Sequence, residues 1–174
     1  MSGMMAVYST DHNEDIYPYL YHGIMSLQHR GQEGYGFVVQ DTAQYGNGLL
    51  ADAVLNQYKG HQGMAYVKYA FTQLRKQAPL MPQHQFNTFI AYDGILDERS
   101  INLDDPRALH QKLLKHDKAF ALVAMDQSKL IAMRDRHGVK PMVIGSRGNK
   151  WFLASESCAL ESINASDIRD LKAG

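Results

Sequence analysis

The chain commits its first residues to the core. Met4 to Tyr8 is an apolar run framed by Ser2-Gly3 and by Ser9-Thr10-Asp11, which predicts a buried β-strand starting almost at the first residue. Further strands are predicted at Gly34 to Gln40, Gly48 to Ala51, Met64 to Tyr69 and Phe86 to Tyr92. Four more follow: Phe120 to Met125, Leu130 to Arg134, Met142 to Ile144 and Trp151 to Ala154. Asp126 to Lys129 and Ser146 to Lys150 read as hairpin connections, so this half of the chain is antiparallel sheet.

Helical spacing is rarer. Ile16, Leu20, Ile24 and Leu27 recur on one face, with Asp11 and Glu14 placed as a capping box and Gly31 just past the end. Asp105-Pro106 starts a second, short helix, Asp as N-cap and Pro in the first turn, with Leu109 and Leu113 on its buried face. A third begins near Ser155 and carries Cys158, Ala159 and Leu160. The polar stretch Thr72 to Gln85, with Pro79 and Pro82, reads as a long loop. The pattern is that of one α/β or α+β domain over residues 1–174.

Composition narrows the chemistry. With 174 residues a real core forms without staples, and one cysteine forbids an internal disulfide, a Cys-rich zinc site or a cysteine-ligated iron–sulfur cluster. Eighteen Lys+Arg balance 18 Asp+Glu, which argues against a nucleic-acid partner. No apolar run is long enough to span a membrane and no signal peptide opens the chain, so the expected location is the cytoplasm. The eight histidines contain no i, i+4 pair, and no metal or cofactor is expected.

Leu27-Gln28-His29-Arg30-Gly31-Gln32-Glu33 resembles a signature of the amidophosphoribosyltransferases, whose N-terminal domain is a class II glutamine amidotransferase of the N-terminal-nucleophile hydrolase fold. Gly48-Leu49-Leu50-Ala51-Asp52, Arg134 to Pro141, Ala154 to Leu160 and Ile168-Arg169-Asp170 follow in the family's order, nearly spanning the chain. The resemblance implies an α+β, four-layer αββα sandwich of two antiparallel sheets. A short segment between Asp105 and Phe120 implies that one helical layer is reduced, and no phosphoribosyltransferase domain is expected within residues 1–174.

The same resemblance implies the site. Ser2-Gly3 falls where the family opens on Cys-Gly, so Ser2 takes the place of a cysteine nucleophile whose own α-amine serves as base. Cys158 lies in the Ser155-Glu156-Ser157 segment, where the resemblance gives it a packing role. The family's oxyanion donors are an Asn side chain and a Gly N–H, and this chain has Asp93-Gly94, with Asp93 also readable as a plain turn residue. Lys68 stands where an arginine clamps the glutamine carboxylate, and Phe71 replaces a threonine. Asp105 falls at the aspartate that takes the substrate amine, although its N-cap role also explains it, and Arg30 is either a site residue or a buried tie between strands. These departures imply a degenerate glutaminase-like domain. It would bind a glutamine-like molecule at most, and act as subunit or regulatory partner of a separate synthase or phosphoribosyltransferase, or as a homo-oligomer. The alternative is an active amidohydrolase using Ser2 once Met1 is removed.

Overall fold

The computed structural model describes residues 1–70, 79–96, 101, 103–115 and 117–174. Strands β1 (Gly3–Ser9), β2 (Gly34–Val39), β3 (Thr42–Asn47), β4 (Gln62–Lys68), β9 (Val143–Arg147), β10 (Lys150–Ala154) and β11 (Ser166–Asp170) form one sheet, ordered β11-β9-β10-β1-β4-β2-β3. A second sheet holds β5 (Gln83–Gln85), β6 (Thr88–Gly94), β7 (Phe120–Met125) and β8 (Leu130–Arg134) in sequence order. All neighbours are antiparallel. The opening strand β1 is central, paired with β10 on one side and β4 on the other.

Alternation along the strands builds four layers. Met5 and Val7 of β1 point into a cluster with Leu20 and Ile24 of α1 (Tyr17–Met25) and Leu160 of α3 (Ser157–Glu161). Their neighbours Met4 and Ala6 point the other way, against Phe89 and Ala91 of β6 and Val123 of β7. On the far face of the second sheet, Ile90, Leu122 and Ala124 meet Leu109 and Leu113 of α2 (Pro106–Leu114). Both faces of β1, β6 and β7 are therefore buried, which is why these strands read as continuous apolar runs. The layers are helices, sheet, sheet, helix. Among the described residues no helix is long and apolar enough to cross a membrane.

Local expectations held unevenly. The Asp105 side chain accepts from the N–H groups of Arg107 and Ala108, as an N-cap should. Asp105→Ala is expected to cost about 1 kcal/mol, read as an earlier urea midpoint with unchanged slope. The capping box at Asp11 and Glu14 does not form. Asp11 closes a turn onto Asn13, while the Ser9 hydroxyl donates to Glu14, so α1 starts only at Tyr17 with Pro18 in its first turn. Gly48 to Ala51 is not a strand. Leu50–Asp52 is a 3-10 turn, fixed where the Leu50 N–H donates to Gln28 Oε1. The strand in that region is β3, an exposed edge paired to β2. Within the Thr72 to Gln85 stretch, Gln83–Gln85 is strand, and residues 72–78, like Phe71 and His116, lie outside the described residues.

Candidate functional site

The ends of β1, β4 and β6 meet at one place. Ser2, Lys68, Asp93 and Gly94 line a cavity of about 160 Å³ walled by Tyr66, Tyr69, Met81 and Tyr92. A larger apolar depression of about 490 Å³, between Leu130, Ile144, Trp151 and Leu153, holds none of the residues singled out for chemistry. Volume alone is therefore a poor guide.

Every polar atom of Ser2 is engaged. Its N–H donates to Asp93 Oδ1 at 3.3 Å, its hydroxyl oxygen accepts the Tyr69 N–H at 3.2 Å, and its carbonyl accepts Arg30 Nε at 3.0 Å. Met1 precedes Ser2, so this nitrogen is an amide, which cannot take up a proton as a base.

Asp93 is not a turn residue. It lies inside β6, paired with Ala121 of β7, and is only 4% exposed. Nor are its surroundings apolar: Lys140 Nζ is 3.1 Å from Oδ2 and Arg30 Nη2 is 3.7 Å from it. A carboxylate between two cations has no hydrogen to donate to an oxyanion. Gly94 follows with φ +126°, and a Cβ there would lie 2.1 Å from the Ala119 carbonyl oxygen, so the backbone excludes any side chain at this position.

Arg30 is the buried tie that the sequence left open, and it does not line the cavity. It stands in the 3-10 turn Gln28–Arg30 after α1 and ties three segments together through Ser2, Asp93 and Glu156. Burial opposes ionisation of Glu156, but the hydrogen bonds from Arg30 and His29 outweigh it and hold the carboxyl below its ordinary value. Lys68 is buried in β4. Burial pushes its ammonium pKa down and the charge of Glu33 opposes that shift. Asp105 is not brought to the cavity; it caps α2 on the outer face of the second sheet.

Two residues of this constellation escaped the sequence reading as site residues, Lys140 and Glu156. Both lie in quoted motifs, which was the available signal. The loop between β8 and β9 that carries Lys140 is held from within. Arg134 donates to the carbonyls of Gly138, Lys140 and Leu171, and Asp135 accepts the N–H groups of Phe120, His137, Val139 and Lys140. Cys158 is half-buried beside Glu156, with its Sγ 3.8 Å from Glu156 Oε2. Burial, then the Glu156 charge, pushes its thiol pKa up, away from the thiolate a nucleophile needs.

Comparison with known proteins agrees with the fold. A family model described as a glutamine amidotransferase domain matches residues 104–162. The amidophosphoribosyltransferase of Methanocaldococcus jannaschii is 29% identical over 217 aligned positions, covering 100% of this chain and 46% of that protein. That of Bacillus subtilis is 28% identical and covers 88% of this chain and 41% of its own length. Among solved structures, the glutamine phosphoribosylpyrophosphate amidotransferase from B. subtilis, complexed with ADP and GMP, superposes with a TM-score of 0.76 over 99% of this chain and 46% of its own, at 25% identity. The chain spans about half the length of the relatives it matches. With its two antiparallel sheets and its similarity along the whole N-terminal region of these enzymes, the chain resembles the class II glutamine amidotransferase domain of the amidophosphoribosyltransferases.

Proposed function

We propose that this domain has lost glutaminase activity and serves as a subunit or regulatory partner of a separate enzyme, of synthase or phosphoribosyltransferase type, in a purine-related biosynthetic step. The observation that carries the reading is the place of Asp93. Its carboxylate is buried at the position where the family resemblance puts an oxyanion donor, and it faces Ser2. Removing one such donor costs about 2.7 to 4 kcal/mol of transition-state stabilisation. A carboxylate about 3 Å from a developing oxyanion adds repulsion of roughly 5 kcal/mol at an effective dielectric near 20. Ser2 and Lys68 compound the defect: the first lacks a free amine wherever Met1 is retained, and the second cannot offer the bidentate grip of an arginine. The three act on one transition state, so their losses need not add.

A second reading draws on the convergence of Ser2, Lys68, Asp93 and Gly94 on a single cavity. In it, Ser2 freed of Met1 hydrolyses glutamine or another amide, with Lys68 on a carboxylate and the Gly94 N–H on the oxyanion.

Two measurements separate them. Intact mass of the purified protein establishes whether Met1 is present, and ammonia release from glutamine is expected to stay at the no-enzyme rate in either case. Loss of Met1 together with ammonia release above that rate overturns the first reading. A chain without Met1 that is silent on glutamine is tested on other amides, and turnover of any of them overturns it equally. Calorimetry with glutamine, asparagine and glutamate, before and after Lys68→Ala, tests whether the cavity still takes an amino acid. For the partner, the expected result is stable co-purification with a synthase-type or phosphoribosyltransferase protein. Isolation as a monomer or homodimer from the native source counts against it.

A further inference from the structure

Two cations meet at the site, one with its guanidinium anchored by groups other than Asp93 and one delivered by a loop whose backbone is locked without Asp93. Arg30 is fixed through Nε to the Ser2 carbonyl and through Nη1 to Glu156. Lys140 extends from a loop that Arg134 and Asp135 lock through seven hydrogen bonds, three from Arg134 and four to Asp135. Between them stands the Asp93 carboxylate, and its fit is imperfect. Asp93 Oδ2 and Arg30 Nη2 are both buried, and neither makes an aligned hydrogen bond among the described residues, although Lys140 Nζ is 3.1 Å and Arg30 Nη2 3.7 Å from Oδ2. Charge attraction holds the carboxylate there more than directed donors do.

We propose that Arg30 and Lys140 form an anion-binding cradle that the chain fills with its own Asp93, which acts as a built-in plug. Emptied of that carboxylate, the cradle takes a small free carboxylate such as formate or acetate. The reasoning is electrostatic. Two cations facing a buried gap are costly without a counter-ion, and neither the Arg30 guanidinium nor the loop that carries Lys140 is held by Asp93, so removing it leaves the cradle with its demand unmet. With Asp93 in place, an acidic ligand group meets a position already neutralised. The site's end nearest Ser2 is thus closed to anions by the chain itself. This inference rests on the reading of the site as a remodelled glutaminase pocket, and it concerns binding, not turnover.

The test is chemical rescue, read by thermal unfolding. Asp93→Ala is expected to lower Tm by about 5 °C or more. Sodium formate at tens of millimolar is expected to recover at least half of that loss, sodium chloride at equal ionic strength to recover none, and the unaltered protein to respond to neither. A folded Asp93→Ala whose Tm rises no more in formate than in chloride overturns the proposal. If Asp93→Ala does not fold, Asp93→Asn is compared with and without Lys140→Met. The plug predicts that the Tm loss from Asp93→Asn shrinks by half or more once Lys140 is gone, and simple additivity of the two losses overturns it. Failure of rescue leaves the question of glutaminase activity untouched, because that is answered separately by ammonia release.

Discussion

Arg30→Met is expected to lower the unfolding free energy by about 3 to 5 kcal/mol, the cost of breaking a buried ion pair by removing one partner. The guanidinium is only 4% exposed, donates to the Ser2 carbonyl and to Glu156, and stands 3.7 Å from Asp93 Oδ2 as an ion pair. Their fates after the substitution differ. Glu156 has a side chain 35% exposed and keeps His29 at 2.9 Å, so water and the imidazole share its charge. Asp93 is 5% exposed at its side chain and is left with Lys140 as its one cation among the described residues. The Ser2 carbonyl loses the donor that holds the start of β1 to the end of α1. Most of the loss therefore arises at Asp93 and Ser2. A urea titration measures it, and because the pair is buried the difference should change little between 0.05 and 0.5 M salt. Arg30→Lys, which keeps the charge but lacks the planar fork that reaches the Ser2 carbonyl and Glu156 at once, is expected to fall between the two proteins. A loss under about 1 kcal/mol would show that Arg30 behaves like a surface residue and would remove the hub from the site.

How much of this was legible beforehand depended on the range of the interaction. Asp105-Pro106 announced α2 because a cap is a contact between near neighbours, Asp105 to Arg107 and Ala108. The Asp11 and Glu14 pattern failed for a tertiary reason. Glu14 is taken by Ser9 and by Lys150, a residue of β10, so it is not available to reach back to a helix start. β3 was missed because it is an exposed, polar edge; what makes Thr42–Asn47 a strand is its ladder with β2, and composition does not encode that. Leu49-Leu50, apolar enough to suggest a strand, is instead turned by one side chain from another segment, Gln28.

The site followed the same rule. Ser2, Lys68, Asp93 and Gly94 were found through motif order and do meet in space. Lys140 and Glu156 were not, because nothing near them in the chain signals an ion pair with β6 or with the turn after α1. Of the two roles open to Asp105, the N-cap is the one observed, and the fold puts it on the outer face of the second sheet.

The segment from Arg134 to Pro141 carries the other large effect. Asp135→Ala is expected to cost about 4 kcal/mol, since its carboxylate, on a residue 2% exposed, accepts four backbone N–H groups that would be orphaned together. The four losses share one side chain, so the total is less than their sum. The effect also has a pH signature. Burial alone would raise the pKa of Asp135, but the N–H groups of Val139, Lys140, His137 and Phe120 outweigh it and hold the carboxyl below its ordinary value of 3.8. A depressed folded pKa means that the stabilisation is fully present above the unfolded value and is lost as pH falls through the folded one. Asp126 and Glu156 shift in the same direction, so the acid limb of one protein alone does not isolate Asp135. The difference between the unaltered chain and Asp135→Asn does: it should be flat from pH 7 to about 5 and close progressively below pH 4. The amide keeps one acceptor oxygen, loses the charge and turns an NH₂ toward backbone donors, so Asp135→Asn should recover only a minor part of the Ala loss. A difference that stays constant down to pH 2 would mean that Asp135 acts by shape alone, and the rigid delivery of Lys140 to Asp93 would need another cause.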